Sequence, residues 1–129
     1  MDFLEEIKTT KKLKDFISSG SPSWNIKTSC LHALSNLSIT SREIIVTTDM
    51  PNIDLETINI KIIDEQTIEI TAKLKKKVSF TELGIYHRRG EFSFLRCQNS
   101  LQVAVDSEKM KVSYEEGIIE VRIPRKGVT

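Results

Sequence analysis

From Arg42 onward the chain alternates between apolar and polar positions. "REIIVTTD" at 42–49 is strand-like, and Pro51 ends it because proline brings no amide hydrogen to a ladder. "TINIKII" places Ile58, Ile60 and Ile62 on one face, with Asn59 and Lys61 on the other. After the turn residues Asp64–Gln66, "TIEITAKL" sets Ile68, Ile70, Ala72 and Leu74 against Glu69, Thr71 and Lys73. A period of two with one apolar row predicts a half-buried strand in each case. Residues 75–91 read as a long polar connection containing Gly84 and Gly90, followed by "FSFLRC" and "LQVAV" as a strand or bulged pair. In "MKVSY", Met110, Val112 and Tyr114 alternate with Lys111 and Ser113; in "IIEVRI", Ile119, Val121 and Ile123 alternate with Glu120 and Arg122. Many short alternating strands predict an all-β fold, an immunoglobulin-like antiparallel β-sandwich.

The first part of the chain has a different period. Residues 2–17 read as one helix, with Asp2, Glu5 and Glu6 in its first turn and Lys8, Lys11, Lys12 and Lys14 behind them, an order that complements the helix dipole. Phe3, Ile7, Leu13 and Ile17 gather on one side, while Leu4 and Phe16 fall outside that stripe. "SSGSPS" at 18–23 breaks the pattern with Gly20 and Pro22 and reads as a hinge. Residues 1–23 are thus an N-terminal helical arm and linker. Residues 24–36 are an ambiguous connecting segment: the middle of "WNIKTSCLHALSNLSITS" fits a short helix, and "LSI" at 37–39 fits the start of a strand. The sandwich is expected over 37–126, with a short tail at 127–129.

Composition narrows the class. At 129 residues, 39% hydrophobic and 29% charged, the chain suits a single folded domain. A net charge of +1 gives no electrostatic case for a nucleic-acid partner. No apolar run approaches the roughly 20 residues that span a bilayer, and "MDFLEEIKTTKKLKD" lacks the apolar core of a signal peptide. Cys30 and Cys97 form no C-x-x-C pair, so reduced thiols in an intracellular, cytoplasmic protein are expected. His32 and His87 are the only histidines, and no metal site or cofactor is expected. No carboxylate pair, Ser-His-Asp order or glycine-rich phosphate loop is present, so no enzyme activity is expected. "KLKKK" at 73–77 fits a solvated edge whose lysines deter edge pairing.

The end of the chain, "KMKVSYEEGIIEVRIPRKGVT", has a strand, a turn on Gly117, a second strand, then Pro124 and Arg125. This resembles the end of the α-crystallin domain of small heat-shock proteins, the Hsp20 family, with Val112, Gly117, Ile118 and Ile119 at the positions of an "A-x-x-x-x-G-V-L" run. Gly117 takes positive φ at a tight turn more cheaply than Glu116. "TTDMP" at 47–51 is similar to the family's "D-L-P-G", with Asn52 where glycine is usual, and "YHRRGEF" at 86–92 is similar to the basic segment before an "F-x-R" strand. The resemblance spans about residues 37–126.

The resemblance implies an ATP-independent holdase that binds partly unfolded client proteins. Ile58, Ile60 and Ile62, facing Met110, Val112 and Tyr114 on a neighbouring strand, would line its client groove, although alternation alone fits a plain core row equally well. The apolar arm residues Phe3, Ile7, Leu13 and Ile17 would add to client contact. The segment Ile85, Tyr86, His87, Arg88 and Arg89 resembles the excursion through which members of the family exchange a strand in a homodimer. With only "KGVT" after Arg125, a dimer or small oligomer is expected rather than a large shell. The alternative is an adaptor of the p23 or CS type that docks on one specific folded partner.

Overall fold

The computed structural model describes residues 24, 25, 27–87 and 89–127. The helix and hinge expected over 1–23, with the candidate client residues Phe3, Ile7, Leu13 and Ile17, lie outside the described residues, as does Arg88. Among the described residues nine strands follow in order: β1 (Trp24–Asn25), β2 (Cys30–His32), β3 (Ser35–Ile39), β4 (Glu43–Asp49), β5 (Asn59–Ile63), β6 (Thr67–Ser79), β7 (Glu91–Ser100), β8 (Lys111–Glu115) and β9 (Ile118–Pro124). Single 3-10 turns at Leu55–Thr57 and Ser107–Lys109 precede β5 and β8. The strands form two stacked sheets, a five-stranded one ordered β1-β2-β7-β6-β5 and a four-stranded one ordered β3-β4-β9-β8.

The period of two explains which residues are inside. In β4, Ile44, Val46 and Thr48 are buried while Glu43, Ile45, Thr47 and Asp49 lie on the other face. They pair with Ile123, Val121 and Ile119 of β9, all fully buried. From the other sheet, Ile68, Ile70 and Ala72 of β6 and Phe92, Leu95 and Cys97 of β7 close the core. Thr48 is the buried polar residue among those described, and its Oγ1 donates to Leu34 O at 2.9 Å, which removes the cost of an unpaired hydroxyl.

The β-sandwich is the expected fold, with three local differences. The described residues of 24–36 hold no helix; they supply β1 and β2, and β2 runs parallel to β7 with Leu31 opposite Leu95. A parallel partner more than 60 residues away leaves no local signature. The polar stretch from Lys75 is not loop, because β6 continues to Ser79. Register jumps from Lys73↔Phe94 to Val78↔Phe92, so Leu74–Lys77 bulge opposite Ser93 alone. "LQVAV" at 101–105 forms no strand beyond an isolated Val105↔Arg125 bridge.

The chain after β4 crosses between the sheets and fixes their alignment. Met50 N donates to Gly117 O at 2.9 Å, while Asp54 N donates to Lys73 O and Lys75 N to Asn52 O, both at 2.9 Å. The β8–β9 turn is thereby tied to the side of β6 on which β5 pairs. On the opposite flank, Ser35 Oγ in β3 lies 3.1 Å from Asn99 Oδ1 in β7. β5 and β8, the last strands of the two sheets among the described residues, therefore share one flank of the sandwich.

Candidate functional site: an apolar cleft between two open edges

β5 ends one sheet and β8 ends the other, so the neighbouring strand expected to face Ile58, Ile60 and Ile62 belongs to the opposite sheet. Their inward rows nevertheless face the same space. Ile60 and Ile62 stand opposite the buried Ile70 and Ile68, and Val112 and Tyr114 stand opposite the buried Val121 and Ile119. A side chain paired across an antiparallel ladder shares its partner's face, so all four point between the sheets. Ile58, which caps the 3-10 turn at Leu55–Thr57, and Met110, which follows the turn at Ser107–Lys109, extend the two rows. Ile58, Ile60, Ile62, Met110 and Tyr114 pack against the core while staying half-buried, and Val112 remains 46% exposed. An inward row that is not covered is the wall of a cleft. Tyr114 stiffens it, since its hydroxyl donates to Met50 O at 3.1 Å.

The turn at the end of β8 holds that edge in place. Glu115↔Ile118 closes a two-residue hairpin with φ +51° at Glu116 and +80° at Gly117. Both central residues are left-handed, as a type I′ turn requires, so Glu116 does adopt the conformation expected of Gly117 alone. Asn52 is likewise at φ +60°, a conformation asparagine tolerates where glycine is usual. Ile118 is on the outer face, Ile119 is in the core, and Pro124 pairs with Glu43. Arg125 Nη1 donates to Thr40 O at 2.9 Å and secures the strand end. A Cβ at Gly117 would sit 3.3 Å from Pro51 Cβ. Gly117→Val should therefore lower stability by about 1–2 kcal/mol, read as a lower urea midpoint, and Gly117→Asn by clearly less.

The connection from β6 to β7 is anchored at its base. Phe80 and Leu83 are buried; Ile85 N donates to Phe80 O at 2.9 Å, and Phe80 N to Gly90 O at 3.3 Å. Ile85 is half-buried against the core, His87 and Arg89 are exposed, and Tyr86 is 79% exposed at the tip. None of the described residues here forms a strand within the single chain.

A family model described as Hsp20/alpha crystallin family matches residues 38–129. The chain belongs to that family. Among curated proteins, no sequence matches it. Solved structures similar in fold include the Del-C4 mutant of hsp14.1 from Sulfolobus solfatataricus P2, at TM-score 0.62 and 14% identity, covering 93% of this chain and 98% of that one. Heat shock protein 16.0 from Schizosaccharomyces pombe matches at TM-score 0.58 and 14% identity, over 95% of this chain and 87% of that one. A small heat-shock protein from Xylella fastidiosa matches at TM-score 0.55 and 18% identity, over 83% and 91%.

Lys75, Lys76 and Lys77 are exposed on the bulge, with Lys77 Nζ 4.0 Å from Glu91, an ion pair too solvated to matter much. His32 is exposed, and no group of three or more His, Cys, Asp or Glu among the described residues is placed to hold a metal. No described helix is long and apolar enough to cross a membrane. Burial raises the Cys97 thiol above its ordinary value, against the lowering effect of hydrogen bonds with Thr48 and Ser35. A raised folded value means the protonated thiol stabilises the fold at neutral pH, and that contribution is lost as pH rises through the folded value. Wild type should therefore lose stability under alkaline conditions more steeply than Cys97→Ala, as measured by urea midpoints across the alkaline range. Trp24, whose isolated place in a serine-rich stretch fits packing of the arm on the sandwich or on a client, meets Phe80 edge to face, and Phe80 meets Phe92 likewise.

Proposed function

We propose that this chain is an ATP-independent holdase of the small heat-shock type, and that the β5–β8 cleft takes up apolar segments of partly unfolded proteins. The observation that carries the proposal is the inward row at Ile60, Ile62, Val112 and Tyr114, left partly exposed between two strands that end their sheets among the described residues. An extended client segment laid there would satisfy its own backbone on an edge while its alternate side chains enter the cleft. Binding of the unfolded state competes with aggregation by mass action and requires no catalytic group. Cys30 and Cys97, which form no disulfide, support a reducing, cytoplasmic setting. The test is aggregation of a thermolabile client enzyme on heating, without nucleotide. Stoichiometric suppression by the full chain is expected. No suppression, together with tight binding to a single native protein, would favour the adaptor reading instead.

The exposed Tyr86, beside Ile85, supports self-association through the connection. β2 covers the side of β7 away from β6 at Phe94–Arg96, so that stretch is already paired within the chain. Replacing both Ile85 and Tyr86 by Ser removes two apolar contacts per copy, each worth about 1.5–3 kcal/mol if fully buried. Light scattering should show the variant dissociating in the low micromolar range while the wild type stays associated. A variant still dimeric at nanomolar concentration would place the interface elsewhere.

A further inference from the structure

We propose that β1 is a strap: Trp24 closes over Phe80 and holds the 80–90 connection on its own domain, so detaching β1 frees the connection. Trp24 meets Phe80 edge to face at 5.4 Å and 86°, and Phe80 meets Phe92 at 5.0 Å and 78°. Phe80 is the point on which the whole connection converges. Its N donates to Gly90 O at 3.3 Å, and its O accepts from Leu83 N at 3.1 Å and from Ile85 N at 2.9 Å. Gly90 also comes so close that a Cβ there would lie 3.1 Å from Phe80 Cε2. Both ends and the middle of the connection are thus tied to one residue, and the ring of that residue packs against Trp24.

The strap itself is short. β1 has two residues, and among the described residues it pairs with β2 at Trp24↔Leu31 and Asn25↔Cys30. Local opening costs least where few hydrogen bonds and little buried area must be given up, so β1 opens well before the core. Opening removes the ring packed on Phe80 and leaves an otherwise buried aromatic without its cover. Because coupling is reciprocal, displacing Phe80 must also loosen Trp24. Trp24 stands where residues 1–23 join the domain, so whatever pulls on that junction acts on the freedom of Ile85–Arg89.

The test uses the full chain and limited trypsin digestion. Cleavage after Arg88 or Arg89 reports the connection, and cleavage after Lys61 in β5 is the reference. Trp24→Ala should speed cleavage in the connection by about tenfold, with Trp24→Phe near wild type and Lys61 unchanged. An unchanged connection in Trp24→Ala, or an equal rise at Lys61, overturns the proposal. The reverse direction uses Trp24 fluorescence, the chain having one tryptophan. Gly90→Ala, which presses on Phe80, should shift the emission to the red, and an unshifted spectrum counts against the strap.

Discussion

Phe92→Ala should lose about 3–5 kcal/mol of folding stability, a large part of the roughly 5–15 kcal/mol typical of a whole domain. Phe92 is fully buried in β7, opposite Val78 just beyond the bulge, and its ring supports Phe80. Truncation leaves a cavity where β6 resumes its pairing with β7, and the bulge limits how far the two strands can close it. Phe94→Ala is the matched comparison. That ring is two residues along the same strand but on the outer face, where it pairs with Lys73 and is 37% exposed. Its loss should cost clearly less than that of Phe92. Urea unfolding of the two variants measures the difference; equal midpoints would mean that β7 does not present the faces described.

The second large effect concerns the cleft. The double variant Ile60→Ser with Val112→Ser should remain folded, because both side chains are already partly solvated in the free protein. It should nevertheless lose most of its suppression of client aggregation. Each side chain covered by a client contributes about 1.5–3 kcal/mol, so losing both weakens binding by more than about a hundredfold. Lys61→Ser with Ser113→Ala, on the exposed alternate positions of the same strands, should suppress aggregation as well as the wild type does. The comparison separates the apolar rows from the strand edges themselves, since both variants leave the backbone groups in place.

How much of this was legible in the sequence depends on where each strand's order comes from. β4, β5, β8 and β9 were readable because each carries one apolar row against the core, and pairing preserves that parity. β6 was read too short because Lys75, Lys76 and Lys77 interrupt the alternation while the backbone stays extended through a bulge. β1 and β2 were not readable, since β2 is ordered by a parallel partner in β7, distant in the chain. The apolar rows of the cleft were identifiable as rows, but their openness was not. That property follows from β5 and β8 being edge strands of different sheets, which is a matter of strand order rather than of local pattern. The left-handed Glu116 is a similar case: hairpin length, not residue preference, decides its backbone conformation.

The central claim is that clients enter the cleft between β5 and β8, and photo-crosslinking across the strand parity tests it most directly. A photoreactive residue placed singly at Val112, Ile60, Ser113 or Lys61 would be irradiated with a heat-unfolding client present. The account predicts crosslinks from Val112 and Ile60, whose side chains face the cleft, with little from Ser113 and Lys61 on the outer faces of the same strands. Equal crosslinking at all four positions, or crosslinking confined to Ser113 and Lys61, would contradict it.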